Sequence, residues 1–156
     1  MIKQVPLQEL NMRMERFRTM MSQYNPEWEM AVIFSKINMY YFTGTMQEGM
    51  LLIPRDDEAV LWVRRSFERA EDESLFPLIR PMNSYRDAVG CYKNLPDAIY
   101  LETEFVPLAM FQRFQKYFPF KNFKPLDMII AKLRSVKSNY ELEMIKRAGE
   151  VHRIVL

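Results

Sequence analysis

Glu102 and Glu104 stand two residues apart at the end of a short apolar run, AIYL, and on an extended segment that spacing places both carboxylates on one side. Paired carboxylates serve general acid/base catalysis and metal-assisted hydrolysis. Neither chemistry is complete here, because no His, Lys or third acid stands nearby in the sequence, and the pair reads as a solvated strand end. Arg64 and Arg65 follow another apolar run, where a guanidinium fork suits an anionic carboxylate. Glu68 and Glu71, at helical spacing, offer them an ordinary surface pairing instead. One cysteine, Cys91, and one histidine, His152, exclude an intramolecular disulfide and leave no set of soft ligands for zinc. The segment 111–123, FQRFQKYFPFKNF, interleaves aromatic with basic residues as single-strand nucleic-acid platforms do. Phe111, Phe114 and Phe118 nevertheless share one helix face, which makes them core.

The elements that carry these residues follow from hydrophobic spacing. Leu10, Met14, Phe17 and Met21 form the stripe of an amphipathic first helix, which Asn25-Pro26 ends. The run 30–34, MAVIF, reads as a strand covered on both faces and therefore central. A short helical turn over 35–42 leads to Thr43-Gly44. Residues 50–53 and 59–63 are then two strands joined by a five-residue polar connection, an antiparallel hairpin. A charged helix begins at Ser66 and stops at Pro77, the stretch 78–80 is too short to assign, and 85–95 forms a weak helix interrupted by Gly90. A strand over 98–101, a helix opened by Pro107 and an extended piece around Phe123 come next, and Asp127 caps a turn through Ile130. Strands alternating with helices around one hairpin predict an α/β sandwich with a mixed sheet.

Composition sets the class. Of 156 residues, 49% are hydrophobic and 27% charged, enough for one globular domain with a packed core and a solvated exterior. With 22 basic and 20 acidic residues the net charge is +2, so bulk electrostatics calls for neither nucleic acid nor an anionic membrane. No apolar leader or bilayer-length run is present, and the chain is expected to be soluble and cytoplasmic.

Towards the C-terminus, Ser138 and Glu141 have capping-box spacing, and Leu142, Ile145, Ala148, His152 and Val155 continue as an apolar stripe to the last residue. No Gly or Pro stop follows, so this helix is expected to be packing against something beyond it. The run K-L-R-S-V-K-S-x-x-E-L-E-x-I-K-R-A over 132–148 resembles the junction of the creatinase/prolidase/aminopeptidase P family, where an N-terminal domain passes into a metallopeptidase domain. The resemblance extends to N-x-x-Y-F-T-G at 38–44 with the following GMLLIP, to VRRSFERA at 63–70, and to IYLE at 99–102, where Tyr100 replaces the family's Gly.

The resemblance implies a ribonuclease H-like creatinase/prolidase N-terminal domain over 1–132, a linker over 133–138, and the first helix of an absent catalytic domain over 139–156. It implies a parent that hydrolyses the bond before proline in a dipeptide or peptide. Two divalent metal ions of manganese or cobalt type would be held by two Asp, one His and two Glu of the catalytic domain, leaving this segment without cofactor or catalysis of its own. It further implies a homodimer in which the loop after Thr43-Gly44 leans over the partner subunit's substrate site. Met46, Gln47 and Glu48, with Arg64, are the residues carried over as substrate-gating contacts in trans, the blander reading of that loop being a solvated hairpin entry. A free-standing α/β interaction or ligand-binding module is the competing expectation.

Overall fold

The computed structural model describes residues 3–155; Leu156, expected to close the last apolar stripe, lies outside the described residues. Leu10, Phe17 and Met21 are buried along one side of α1 (Leu7–Tyr24), and the chain leaves the helical region at Asn25, ahead of Pro26. Every residue of β1 (Met30–Ile33) is buried. After it, α2 (Lys36–Thr43) stops at Gly44, whose φ of 79° returns its N–H to the Tyr40 carbonyl at 2.8 Å. The expected hairpin forms from β2 (Gly49–Pro54) and β3 (Val60–Val63), with Gly49 opposite Val63. The charged run yields α3 (Phe67–Glu73). Next come β4 (Ile79–Pro81) and α4 (Tyr85–Val89), the latter opened by a Ser84/Asp87 capping box. After β5 (Ala98–Leu101), α5 (Leu108–Tyr117) begins directly behind Pro107, and β6 (Asn122–Pro125), α6 (Asp127–Ser135) and α7 (Asn139–Val155) complete the order.

The six strands form one sheet in the order β4-β3-β2-β1-β5-β6. Only β2 runs antiparallel to the rest, since it opposes both β1 and β3 while the other pairings are parallel. The strands alternate their side chains between two cores. Ala31, Ile33, Leu51, Ile53 and Leu61 face Phe17, Met21, Phe42, Ile130 and Leu133 of α1, α2 and α6. Val32, Leu52, Trp62 and Leu101 face Phe114, Phe118 and Phe120 on the opposite side. This is a three-layer α/β sandwich, and because β1 is buried on both faces its sequence reads as a continuous apolar run.

Several stretches differ from the sequence expectation, and the weak helix expected over 85–95 forms only over Tyr85–Val89, ending at Gly90. Residues 78–80 gave no assignment, yet Leu61 pairs with Ile79 and Trp62 with Arg80, so β4 is held by its neighbour rather than by its own pattern. Asp127 opens a full helix instead of a short turn, because Ile129, Ile130 and Leu133 all bury against the α1 side of the sheet. The expected linker over 133–138 thereby gives its first three residues to α6, leaving 136–138 as the connection. The capping box of α7 is formed: the Ser138 N–H donates to Glu141 Oε2 at 2.9 Å, and the Glu141 N–H donates to Ser138 Oγ at 3.1 Å. No residue of α7 is buried, and every residue over 145–155, His152 included, is exposed. His152, whose stripe position suggests a packed or interface histidine, is therefore not packed within this chain.

Candidate functional site

The loop over 45–48 is positioned from three directions. Behind it, Gly44 ends α2 in a left-handed turn. Ahead of it, Gly49 approaches the Trp62 backbone so closely that a Cβ built there would lie 1.9 Å from the Trp62 carbonyl oxygen. Beneath it, the last residues of α3 supply an acceptor. Thr45 Oγ1 and Gln47 Nε2 both donate to Glu73 Oε2, at 2.9 and 3.0 Å, while Arg69 Nε donates to the other Glu73 oxygen at 2.6 Å. The hydrogen bond from Gln47 is the largest influence on Glu73 and, with those from Arg69 and Thr45, holds its carboxyl below the ordinary glutamate range against the opposing effect of burial. Ser74 Oγ also donates to the Thr43 carbonyl, a second tie between α3 and the end of α2.

Glu48 closes the loop on the strand side. Arg64 Nη1 lies 3.8 Å from Glu48 Oε1 and Arg65 Nε 3.6 Å from Oε2, and the Arg64 N–H donates to the Glu48 carbonyl at 2.7 Å. The arginines therefore pair across the hairpin and not with Glu68 or Glu71, as helical spacing had suggested. The reason is register: Gly49 faces Val63, so Glu48 and Arg64 are the next cross-strand neighbours. The left-handed backbone at Ser66, φ 57°, separates both arginines from α3. Met46 is left 51% exposed at the crest, so Met46, Gln47, Glu48 and Arg64 are brought together on one loop-and-hairpin edge with Met46 presented and the others holding it.

This edge presents the Met46 side chain to solvent. Among the described residues no group of three His, Cys, Asp or Glu stands close enough to hold a metal ion. No described helix is long and apolar enough to cross a membrane.

Glu102 departs from its expectation. It is 1% exposed instead of solvated, and its carboxylate accepts from the Phe34 and Ser35 N–H groups at 2.5 and 2.8 Å and from Asn38 Nδ2 at 2.5 Å. Burial pushes its pKa above the ordinary value, more than the three hydrogen bonds draw it down. Glu104 is exposed, as expected. Sequence reasoning missed this site because the donors lie more than sixty positions away; the one local signal was an acidic residue directly after a buried strand.

Residues 13–136 match the family model described as the Creatinase/Prolidase N-terminal domain. A Xaa-Pro dipeptidase from Pyrococcus furiosus is 31% identical over 121 residues, which is 76% of this chain and 34% of that relative. The chain thus spans about a third of the length of the curated relatives it matches. A solved prolidase from Pyrococcus furiosus superposes with a TM-score of 0.74 at 27% identity, covering 88% of this chain and 42% of that one. The creatinase/prolidase N-terminal domain of an X-Pro dipeptidase from Streptococcus pyogenes shares the fold with a TM-score of 0.65 at 20% identity, over 78% of this chain and 98% of that one.

Proposed function

We propose, from the premise that this chain belongs to the creatinase/prolidase N-terminal domain family, that it is the non-catalytic N-terminal part of a Xaa-Pro dipeptidase-like metallohydrolase acting in the cytoplasm. Its work is to contribute to a homodimer and to shape the partner subunit's substrate site, where a proline-containing dipeptide or peptide binds. Hydrolysis, and the two divalent metal ions it uses, belong to a separate C-terminal part of the longer protein.

What supports the reading is the way the 45–48 loop is held. Gln47 is fixed to Glu73 and Glu48 to Arg64 and Arg65, so the loop presents Met46 at the end of a braced hairpin. A loop pinned at both ends can present a side chain to a neighbouring surface without first ordering itself, which lowers the entropy lost on contact. Two domains of this reading are testable at once. The chain of 156 residues, assayed on Xaa-Pro dipeptides with added manganese, is expected to show no turnover, and measurable hydrolysis would overturn the division of labour. In the longer protein Gln47→Ala is expected to raise KM about three- to tenfold with little change in kcat; an unchanged KM would remove the loop from the substrate site.

A further inference from the structure

Helix α7 leaves the domain with almost no apolar anchorage. Tyr140, Glu141 and Met144 are half-covered, and beyond them the helix stands clear of the rest of the chain. A helix held only by a three-residue connection would be expected to swing. Four charged and polar side chains close a ring around its first turn. Arg13 Nε donates to Glu9 Oε1 at 3.0 Å; Glu9 Oε1 also accepts from Ser138 Oγ at 2.6 Å. Ser138 Oγ accepts from the Glu141 N–H, and Glu141 Oε1 lies 3.6 Å from Arg13 Nη2.

The ring is built into the domain and not laid on its surface. Arg13 is 4% exposed and Glu9 8%, burials that long charged side chains reach only when paired. The remaining arm of the Arg13 guanidinium donates from Nη1 to the Tyr41 carbonyl at 2.7 Å, near the end of α2, and its central carbon lies 4.5 Å from the Tyr41 ring centroid. One guanidinium therefore touches α1, α2 and the first turn of α7. Its planar fork fixes three directions at once, which an ammonium cannot do.

A buried ion pair adds little net stability over an apolar replacement of the same size, because desolvation offsets the attraction. What it does supply is geometry, since a rotation of α7 would separate Glu141 from the buried Arg13 and Ser138 Oγ from the buried Glu9 carboxylate. We infer that Arg13, Glu9, Ser138 and Glu141 form a polar latch that sets the direction in which α7 projects from the domain. Arg13 is the positioning residue at its centre. Through it the end of α2, from which the 45–48 loop departs, and the start of α7 share one fixed point. This goes beyond the proposed function and stands without it; on that reading the same ring fixes the angle between the domain and whatever α7 carries.

The test is a distance distribution between spin labels at Thr19→Cys on α1 and Glu150→Cys on α7, in a Cys91→Ser background, measured by pulsed dipolar spectroscopy. The parent chain is expected to give one narrow distribution. Ser138→Ala and Glu141→Gln, both at the partly covered edge of the ring, are expected to broaden it about twofold or to add a second distance, while near-UV circular dichroism of the sheet domain stays unchanged. Arg13→Met is expected to do the same and Arg13→Lys not to rescue it. A distribution that stays narrow in Ser138→Ala and Glu141→Gln would overturn the latch and assign the direction of α7 to the stiffness of 136–138 alone. Rescue by Arg13→Lys would overturn the role of the guanidinium fork.

Discussion

At Glu102 three N–H donors from the end of β1 and the start of α2 converge on one buried carboxylate, and Arg134 Nη1 donates to Asn38 Oδ1 at 3.0 Å to fix the amide among them. Ser35 makes no side-chain cap of its own, so Glu102 closes the helix start from across the sheet. Glu102→Ala leaves two buried N–H groups without acceptors and is expected to cost about 3 kcal/mol in urea unfolding. The pH dependence has a defined sign. Burial raises the folded-state pKa above the ordinary glutamate value, so between the two the folded state holds the proton more tightly than the unfolded one. The contribution of this group is therefore greatest below the unfolded pKa and is lost as pH rises through the folded one. The stability of the parent relative to Glu102→Gln should fall as pH is raised from about 4 through that window; a difference that grows with pH would contradict the assignment. Gly49 makes a second residue-scale prediction. With the Trp62 carbonyl in the space a Cβ needs, Gly49→Ala must push the hairpin strands apart, and a loss of about 3 kcal/mol is expected from the denaturation midpoint.

At the scale of elements, α5 is held on the sheet by a cluster of rings. Phe114 is fully buried, stacks on Phe118 at 4.5 Å between centroids and meets Phe34 and Tyr85 edge-on at 5.3 and 5.5 Å. Phe114→Ala is expected to cost about 3–5 kcal/mol with an unchanged denaturant slope, and a cost below about 1 kcal/mol would mean that the cluster does not hold the helix. That face was legible in the sequence because the three- and four-residue spacing of the phenylalanines survives any register. The hairpin was legible for a similar reason, two apolar runs separated by a polar five-residue connection. What stayed hidden was decided by partners distant in the chain. β4 exists because Leu61 offers a ladder to Ile79, and α6 is extended by burial of Ile130 and Leu133 under α1. The site divides the same way. The loop at 46–48 is singled out by motif resemblance alone, whereas Glu73, which holds Gln47 from twenty-six positions on, has no signal in the local pattern. Arg64 and Arg65 were assigned to Glu68 and Glu71 because helical spacing is visible in a sequence and cross-strand register is not.

For the molecule as a whole, two features point outward: the braced 45–48 loop and helix α7, around which Leu142, Ile145, Val151 and Ile154 lie open to solvent. The proposed function adds one claim to the first of these, that the loop acts on the substrate site of a partner subunit in the longer protein. Mixed dimers of the longer protein test this most directly, with metal binding abolished in one subunit and Gln47→Ala placed on either the same or the opposite subunit. The account predicts that KM for a Xaa-Pro dipeptide rises about three- to tenfold only when Gln47→Ala sits opposite the intact metal site. A KM that rises only when substitution and intact site share a subunit, or that does not move in either arrangement, would contradict it.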